Sequence, residues 1–483
     1  MMNIYFADEI RKADQKANEQ GLTVFALMEN SGHALYTEII QMIKQNDSIG
    51  ILAGPGNNGG DGIVLARLLK NHGYDATLIF PLGLPKTQIA QQHLSYYVAE
   101  GYSYTETIAH EYDVLIDALF GIGFKPPLVS KAEKILNLWN TSKAIKVAID
   151  IPSGVEADTG KVERAFKADY TFCLHGYKPS AFLAPSSYYY GTVQALDIGL
   201  RQKASWRIWK EEDVKRTWPA VPYHSHKGTF GTGLLIAGSR EMPGCAMMAG
   251  KGAMRAGIGK LTIATDPEVA AICCHSLPEA TYWYDSLSGL EDSRQLENYR
   301  AVAIGPGLTP DERLESLIQA LLNHSSIPLI LDAGALSQRH YPLDRTAPVI
   351  LTPHPGEMAK ITGLSTGYIN ENRLKVARDY AVMNHVTVVL KGENTVLAFP
   401  DGTGYINYTG NRGLAKGGSG DTLLGILLGL VCQKPLDRSA VLNGVFLHGK
   451  TAEYWSHNRA PSSMLASDIM DVWPYLLKEL ELN

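Results

Sequence analysis

The sequence predicts an α/β protein of two domains, each with three layers in which a mainly parallel β-sheet lies between helices. A chain of 483 residues is too long for one ordinary domain and long enough for two sizeable cores. In both halves, apolar strand-like runs alternate with helix-like segments, which is the pattern of a parallel sheet covered by helices. Around residues 199–226 a charged passage with Trp and Pro interrupts this alternation, so we place the domains at 1–206 and 211–483.

The individual elements follow from local patterns. The first half opens with two amphipathic segments, ADEIRKADQKANEQ and TVFALMENSGHALYTEIIQMI, which predict helices. Strand-like runs follow as IGILAG, DATLIF, VLIDALFG, KVAIDIPSG and DYTFCL. The second half contains GTGLLIAGS, KLTIAT, YRAVAIGPG, PLILDAG, PVILTPHPG and TVVLKG. Ligands of such sheets bind at the carboxyl ends of the strands, so the loops after these runs are the candidate sites.

Composition argues against several classes of function. With 45% hydrophobic and 19% charged residues and a net charge of −5, the chain gives no electrostatic reason to expect nucleic acid or an anionic membrane as partner. The five cysteines lack metal-ligand spacing and indicate reduced thiols. No signal peptide is recognisable, and LLGILLGLVC is too short to span a bilayer. We therefore expect a cytoplasmic protein, and we also expect a homo-oligomer.

The first glycine-rich loop, AGPGNNGGDG, follows a predicted strand and precedes a predicted helix. Gly54, Gly56 and Gly59 fit the G-x-G-x-x-G pattern of dinucleotide-binding loops. A tight turn without a ligand is an equally ordinary explanation of such a match. The polar side chains of this loop favour a site, because a loop that only holds a cofactor relies on its backbone N–H groups.

Three acidic or hydroxyl side chains end neighbouring strands of the first half. Asp117 ends VLIDALFG, and Asp150 and Ser153 end KVAIDIPSG. Each alone could be a loop cap, but together with Asn58 they are expected at one rim of one sheet. Such oxygen ligands suit a hard cation or proton transfer, and they do not resemble a zinc site.

The second glycine-rich loop, AKGGSGDTLLG, places Gly417, Gly418 and Gly420 before Asp421 and an apolar helix. Backbone N–H groups at the start of a helix form an anion hole for a phosphoryl group. Asp421 can accept a hydroxyl proton while that oxygen attacks a phosphate, although helix capping would also explain an acid there. No Walker loop occurs, which argues against the P-loop class.

Two further residues of the second half are candidates for ligand contacts. Lys391, in KGENTVLAFPDG, lies at a strand end before a hairpin-like turn, with Thr395 close by, and both suit nucleotide phosphates. His354 stands between two prolines that stiffen the backbone in LTPHPGEM. A surface lysine and a loop histidine without function are the commoner explanations of each residue taken alone.

The order GPGNNGGDG, DALFGIG, DIPSG, HKGTFG, IGPGL, LTPHPGEM, KGENT and GGSGD, with LMENSG before them, resembles the bifunctional NAD(P)H-hydrate repair enzymes. The resemblance covers nearly the whole chain. It implies an N-terminal Rossmann-like NAD(P)H-hydrate epimerase domain and a C-terminal ribokinase-like NAD(P)H-hydrate dehydratase domain that uses ADP or ATP. The dinucleotide is then a damaged substrate, hydrated on its nicotinamide ring, which explains the polar residues of the first loop.

For the first domain, the resemblance implies catalysis by Asp150 and a potassium ion held by Asn58, Asp117 and Ser153. It implies hydrate contacts in two loops, made by Asn57, Asn58, Gly59, Gly60 and Asp61 and by Gly121, Ile122, Gly123, Phe124, Lys125, Pro126 and Pro127.

For the second domain, the resemblance implies that Asp421 acts on the reacting hydroxyl and that Ala253, Gly307 and His354 line the hydrate site. It implies a magnesium-bound adenine nucleotide, ADP rather than ATP, on Lys391, Gly392, Glu393, Asn394, Thr395 and Gly420. Two positions depart from the family: Gly334 replaces a second aspartate, and Lys416 replaces a threonine. We expect Lys416 to add positive charge beside the anion hole.

Rival functions remain open from the sequence alone. The main alternative is a ribokinase-like vitamin or sugar kinase fused to a non-catalytic Rossmann-like binding module. A kinase would release a stable phosphate ester, whereas a repair enzyme would release free phosphate and reduced dinucleotide. A Rossmann oxidoreductase would explain only the first loop.

Overall fold

The structure, a computed structural model, describes residues 2–108, 111–201, 203–284 and 296–482. The chain divides into two compact units, Met1–Arg207 and Ile208–Asn483. None of the described helices is both long and apolar enough to cross a membrane.

The described residues of the first unit form a seven-stranded sheet in which every pair of neighbouring strands is parallel. The strand order is β4-β3-β2-β5-β6-β7-β8. Their bounds are Ser48–Ala53 (β2), Asp75–Ile79 (β3), Tyr104–Thr105 (β4), Val114–Ala118 (β5), Ile145–Ile149 (β6), Tyr170–Leu174 (β7) and Thr192–Leu196 (β8); a short β1, Met2–Ile4, precedes them. The central β5 is buried at every position, as expected of a parallel sheet covered on both faces.

Five α-helices of the first unit are described: Ala7–Glu19 (α1), Val24–Ile39 (α2), Asn57–Asn71 (α3), Gln88–Ala99 (α4) and Ser130–Asn140 (α5). The first two lie where the amphipathic segments predict helices. The Thr23 side chain caps α2 by accepting a hydrogen bond from the Ala26 N–H at 3.2 Å. Helix α3 begins within the first glycine-rich loop and is buried from Asn58 to Leu69, so it runs through the core directly behind the strand ends.

The described residues of the second unit form nine strands in the order β18-β17-β16-β15-β14-β13-β10-β11-β12, and β9, Trp206–Ile208, spans the division between the units. The pairs that join β10 to β16 are parallel, and β17 and β18 add an antiparallel end beside β16. The bounds are Thr232–Ile236 (β10), Lys260–Thr265 (β11), Thr281–Tyr284 (β12), Ala301–Ile304 (β13), Leu329–Leu331 (β14), Val349–Leu351 (β15), Thr387–Leu390 (β16), Val396–Ala398 (β17) and Gly404–Ile406 (β18).

The described helices of the second unit cover the sheet. They are Glu211–Thr217 (α6), Pro243–Arg255 (α7), Pro267–Ser276 (α8), Glu312–Asn323 (α9), Pro355–Thr362 (α10), Thr366–Glu371 (α11), Arg373–Asn384 (α12), Ser419–Gln433 (α13), Arg438–Trp455 (α14) and Asp468–Glu479 (α15). The helix α13 is the predicted apolar helix after the second glycine-rich loop, and it is buried from Thr422 to Cys432. Both units therefore have the α/β architecture that the sequence predicts.

Helices α7 and α13 approach each other unusually closely because glycine stands at their contact. A Cβ atom at Gly425 would lie 1.9 Å from the backbone oxygen of Ala249, and one at Gly252 would lie 2.7 Å from that of Thr422. No side chain fits at such distances. The two helices are thus positioned by backbone contact, and both begin at the carboxyl edge of the sheet.

Candidate active sites

A cavity of about 500 Å³ lies at the carboxyl edge of the sheet in the first unit, and we call it the first-unit cavity. Parallel strands bring β2, β5, β6 and β7 to the same edge. Eight residues predicted for this site line the cavity: Asn57, Asn58, Asp61, Gly121, Ile122, Gly123, Phe124 and Asp150. The sequence therefore located both loops that face the cavity.

Other predicted residues of these loops lie behind the lining. A Cβ at Gly54 would lie 1.8 Å from the Leu119 carbonyl oxygen, so this glycine lets the loop pack against the strand beside it. Gly59 and Gly60 pack against Gly54 and Met28. These positions shape the loop and do not themselves line the cavity.

Asp150 is the buried carboxylate at the end of β6, 7% exposed, and it has a left-handed backbone with φ of 68°. Its carboxylate accepts hydrogen bonds from the Lys178 ammonium and from the Leu174 N–H at 3.1 Å. The Lys178 ammonium, on a side chain only 1% exposed, also donates to the carbonyls of Leu174 and Gly176 at 2.8 and 3.1 Å. Asp150 is therefore a fixed, charge-paired carboxylate in the cavity wall.

Lys178 was not predicted from the sequence. It lies in HGYKPS, four residues after β7 and 28 residues after Asp150, and no spacing rule connects the two. Two further lining residues were also missed, Asp14 on α1 and His175 beside Lys178. Burial, reinforced by the nearby Lys178 ammonium, lowers the pKa of His175 to about 4.

The predicted potassium ligands lie close together at the wall of the cavity, where Asn58 belongs to the lining. Asp117 accepts hydrogen bonds from the Ser153 hydroxyl and Ser153 N–H, each at 2.7 Å. The Ser153 Oγ accepts from the Phe120 N–H at 2.9 Å, and the Asn58 amide donates to the Phe120 carbonyl at 3.1 Å. The three side chains thus form one connected group of hard oxygen donors. Burial raises the pKa of Asp117 to about 6, which a bound cation would counteract.

The cis-proline loop after β5 is fastened to the β6 side of the cavity. Lys125 pairs with Glu156, whose other oxygen accepts from the Thr159 N–H at 2.7 Å and hydroxyl at 2.6 Å. The bond between Pro126 and Pro127 is cis. Lys125 is mostly exposed while Glu156 is buried, so the ion pair holds the loop from its outer side.

The second unit gathers its polar residues at the carboxyl edge of β14 and β16. The Lys391 ammonium donates to Asp332 at 2.7 Å, and Glu357 lies 3.8 Å away. Burial opposes the charge of Lys391, yet Asp332 and Glu357 outweigh it and raise the pKa of this lysine. Burial also raises the pKa of Asp421. This cluster of one ammonium and several carboxylates suits a metal-bound phosphate group.

The second glycine-rich loop lies against this cluster. Gly418, with φ of 93°, turns the chain into α13, and a Cβ at Gly420 would lie 3.4 Å from the Lys391 ammonium. The loop and the helix start therefore face Lys391, as an anion hole requires. The Lys416 ammonium donates to the Ser462 carbonyl at 2.8 Å, and its contribution of charge to the anion hole stays a prediction.

The departure at Gly334 has a structural reason. A Cβ at this position would lie 2.1 Å from the Leu308 carbonyl oxygen, so an aspartate does not fit without a backbone shift. The carboxylate of this segment comes from Asp332, which is 2% exposed and which the sequence analysis overlooked although it ends the strand PLILDAG.

The remaining predicted hydrate contacts differ in position. His354 caps α10, its Nδ1 accepting from the Gly356 N–H at 3.0 Å, and its side chain is 56% exposed. Gly307 turns with φ of 70° beside Gly238, at the ends of β13 and β10. Ala253 is fully buried in the core with α13 beside it, so the structure does not bring it to the polar cluster.

The segment 391–395, predicted to hold adenine nucleotide, is held in position by the buried side chain of Arg373. This buried guanidinium donates to the carbonyls of Leu390 and Lys391 at 2.9 and 3.3 Å. Burial lowers the pKa of Arg373 to about 10. Gly392 and Asn394 have positive φ, which makes the segment a sharp turn beside Lys391. Arg373 is thus a positioning residue that the sequence did not reveal.

Comparisons with known proteins match both units. The family described as "NAD(P)H-hydrate dehydratase" matches residues 233–475, and the "YjeF-related protein N-terminus" matches residues 24–180. The bifunctional NAD(P)H-hydrate repair enzyme Nnr of Moorella thermoacetica is 33% identical, covering 99% of this chain and 97% of the relative. Its Escherichia coli counterpart is 32% identical, covering 96% and 92%.

Solved structures resemble the second unit. The ADP/ATP-dependent NAD(P)H-hydrate dehydratase of Bacillus subtilis, co-crystallised with ATP and Mg²⁺, is 47% identical with a TM-score of 0.55, covering 56% of this chain and 98% of that one. A ribokinase-like protein of Enterococcus faecalis is 25% identical with a TM-score of 0.51, covering 58% and 98%.

The fold and the two sites define a fused enzyme in which a Rossmann-like unit precedes a ribokinase-like unit. Its class is that of a two-site nucleotide-processing enzyme. The chain belongs to the family of bifunctional NAD(P)H-hydrate repair enzymes. This confirms the resemblance drawn from the motifs.

Proposed function

We propose that the chain repairs hydrated NADH and NADPH, epimerising the R and S forms in the first unit and dehydrating the S form in the second. The observation that carries this proposal is the end-to-end match to bifunctional repair enzymes, 33% identical over 99% of the chain. The assignment of one activity to each unit is supported by the separate clusters around Asp150 and Asp421.

Epimerisation inverts a carbon that carries a hydroxyl and is bonded to the ring nitrogen. The nitrogen lone pair expels the hydroxyl, and water returns to either face of the cation. Asp150 is placed to exchange protons with this oxygen, and Lys178 orients its carboxylate by pairing with it. The wall formed by Ile122 and Phe124 supplies apolar contact for the ring.

Asn58, Asp117 and Ser153 would hold the potassium ion, whose charge would compensate the buried Asp117 carboxylate. Replacing potassium with a bulky organic cation is expected to slow epimerisation and to spare dehydration, because these three oxygen ligands belong to the first unit. Rates of both reactions, measured in potassium and in tetraethylammonium chloride, test this. Equal epimerisation rates in the two salts would remove the cation from the proposal.

Dehydration requires a better leaving group than hydroxide. We propose that Asp421 takes the proton of the substrate hydroxyl as it attacks the terminal phosphate of ADP, while the helix start and Lys391 hold the phosphate oxygens. A magnesium ion on the nucleotide would neutralise phosphate charge, and Asp332 and Glu357 are the described carboxylates close to Lys391 that fit it. Loss of phosphate then restores the reduced ring.

The donor is proposed to be ADP, by analogy with the Bacillus subtilis relative named for ADP, which is 47% identical. ATP remains a usable donor in the Bacillus subtilis enzyme named for both nucleotides. The cytoplasmic location, the homo-oligomeric state and the absence of nucleic-acid and membrane partners stay predictions.

The test is absorbance at the reduced-nicotinamide band, with a mixture of NADH-hydrate epimers, magnesium and either ADP or ATP. Full recovery of the band establishes both activities and identifies the donor. Recovery that stops at the share of one epimer leaves only the dehydratase. If the band does not recover and the chain instead converts another substrate to a stable phosphate ester, the second unit is a kinase.

A further inference from the structure

Three carboxylates line the first-unit cavity, Asp14, Asp61 and Asp150, but the buried Lys178 ammonium pairs with Asp150. Arg11 also lines the cavity, yet its guanidinium is exposed and pairs with Asp8 at 2.6 Å. Within the described part of the chain, neither Asp14 nor Asp61 forms an ion pair. Two of the three carboxylates therefore lack a cation of their own.

This arrangement favours one bound proton on Asp14 or Asp61, and we call these two residues the Asp14–Asp61 pair. Burial, and then the charges of Asp150 and Asp14, raise the pKa of Asp61 well above its ordinary value. Burial and the charge of Asp150 raise the pKa of Asp14 to about 6. Asp150 is thus paired with an ammonium group, whereas Asp14 and Asp61 are not. Such a difference in surroundings lets one cavity hold both a base and an acid at the same pH.

Ser31 acts against this proton. Its side-chain hydrogen bond to Asp61 lowers the pKa of that carboxyl, but burial and the neighbouring carboxylates outweigh it.

The proposed epimerisation needs two proton-transfer groups. The departing hydroxyl and the incoming water lie on opposite faces of the ring, and one rigid carboxylate reaches only one of them. The hydroxyl must gain a proton as the C–O bond breaks, and the water must lose one as the new C–O bond forms. Asp150, which is fixed by Lys178, accounts for one of these transfers.

We infer that Asp14 and Asp61 form a second acid–base group of the first-unit cavity, which holds one proton and acts on the ring face that Asp150 does not serve. This inference rests on the proposed epimerase. In one direction, Asp61 gives its proton to the departing hydroxyl, the ring nitrogen supplies the electron pair for the C=N bond, and Asp150 takes the proton of the adding water. Each turnover leaves Asp61 deprotonated and Asp150 protonated. Asp150 then releases its proton to solvent and Asp61 takes one from solvent, which restores both groups, and the reverse direction exchanges the roles.

The charges that face the pair come from three parts of the unit. They are Arg11 on α1, Asp150 after β6, and Lys178 and His175 after β7. His175 is neutral above pH 5, because its pKa lies at about 4. The pH dependence of the reaction near neutrality therefore reports the carboxylates.

The test uses Asp14→Asn and Asp61→Asn in the full chain, with the R epimer as substrate and dehydration of the S epimer as internal control. Each variant is expected to lower kcat of epimerisation by about 100-fold or more, the usual contribution of a proton-transfer group, with dehydration unchanged. Glu19→Gln, an exposed carboxylate on the same helix as Asp14, is the matched control and should retain the parent rate.

The pH profile separates a proton-transfer role from a structural one. The parent rate falls as pH rises and the pair loses its proton. In Asp14→Asn this fall moves to lower pH, because removing the neighbouring charge lowers the pKa of Asp61. An unchanged profile with kcat within threefold of the parent would overturn the inference. Loss of epimerisation in the parent chain would instead refute the proposed function, and melting curves show whether Asp61→Asn has folded.

Discussion

Lys178 is held in the first-unit cavity by Asp150 and by two backbone carbonyls, so it is both a charge partner and a structural tie. Lys178→Met removes the cation and leaves the carboxylate buried alone. We expect the free energy of unfolding of the first unit to fall by about 3–5 kcal/mol, the usual cost of breaking a buried ion pair from one side. Urea unfolding followed by tryptophan fluorescence measures this.

The control for this change is Lys146→Met, a partly buried lysine of the same unit whose ion pair with Asp169 is longer, at 3.7 Å. Lys146→Met should lower the free energy of unfolding by clearly less than Lys178→Met does. The double variant with Asp150→Asn should recover part of the loss, because it removes the stranded charge. A Lys178→Met loss no larger than that of Lys146→Met would show that the ion pair contributes little to stability.

Asp14 makes the first unit sensitive to pH. Its pKa of about 6 in the folded chain exceeds the ordinary value of 3.8, so its stabilising contribution is present below pH 4 and lost as pH rises to 6. Asp14→Asn should therefore raise stability more at pH 7 than at pH 5. After discounting for solvent exposure, we expect a difference of about 1 kcal/mol.

The melting temperatures of parent and Asp14→Asn chains at pH 5 and pH 7 check this expectation. Glu19→Gln serves again as the exposed control on α1 and should shift both values equally. A stabilisation that is the same at both pH values would contradict the raised pKa of Asp14.

The residues of the two sites show which features can be predicted from the sequence and which cannot. Asp117, Asp150 and Asp421 were predicted because each lies at the end of a strand or after a glycine-rich loop, and those signals are local. Lys178 and Asp14 were missed because their burial depends on tertiary packing: Lys178 meets Asp150 through left-handed turns at Asp150 and His175, and Asp14 belongs to a helix that looks amphipathic and solvated. The amide of Asn58 contacts the carbonyls of Phe120 and Ile149, which are 62 and 91 residues away.

Among the elements, α7 and α13 have the tightest constraint. Gly425→Ala would place a Cβ 1.9 Å from the Ala249 carbonyl oxygen, which only a displacement of one helix relieves. We expect a loss of about 1–3 kcal/mol or more from overpacking, with weaker ADP binding because α13 begins at the glycine-rich loop. Thermal melting and ADP titration measure both effects.

Gly367→Ala on α11 is the matched change, because a Cβ there meets nothing within 4 Å. It should be neutral or stabilise by up to about 1 kcal/mol, as alanine is the better helix former. Equal effects of the two substitutions would show that the contact of α7 with α13 yields more easily than the distances imply.

The positions of many strands were predicted, because apolar runs mark β2, β3, β5, β6 and β7 in the first unit and β10, β11 and β13 to β16 in the second. The order of the strands within each sheet was not predicted. The antiparallel end formed by β16, β17 and β18 was visible only as a hairpin-like turn after Lys391. The support of the 391–395 segment by Arg373 was not visible, since a buried arginine in the α12 sequence looks like any surface arginine of a helix.

At the scale of the whole molecule, the two compact units predict two independent reactions. An equimolar mixture of Asp150→Asn and Asp421→Asn chains should restore the full reduced-nicotinamide band from mixed epimers, because hydrate released by one chain can diffuse to the other. Each variant alone should fail, the first at the share of one epimer and the second completely. A mixture that stops at the single-epimer share would require transfer of hydrate within one chain.

The backbone contact between α7 and α13 also limits which substitutions this sequence can accept during evolution. Where two side chains meet, a loss of volume on one helix can be compensated by a gain on the other, so a pair of substitutions can preserve the packing. At Gly425 the neighbour is a carbonyl oxygen, which every amino acid possesses, and no second change can make room for a side chain. A substitution at Gly425 therefore cannot be compensated by a second substitution elsewhere. Substitutions at this position should occur independently of those at the apolar residues packed around it.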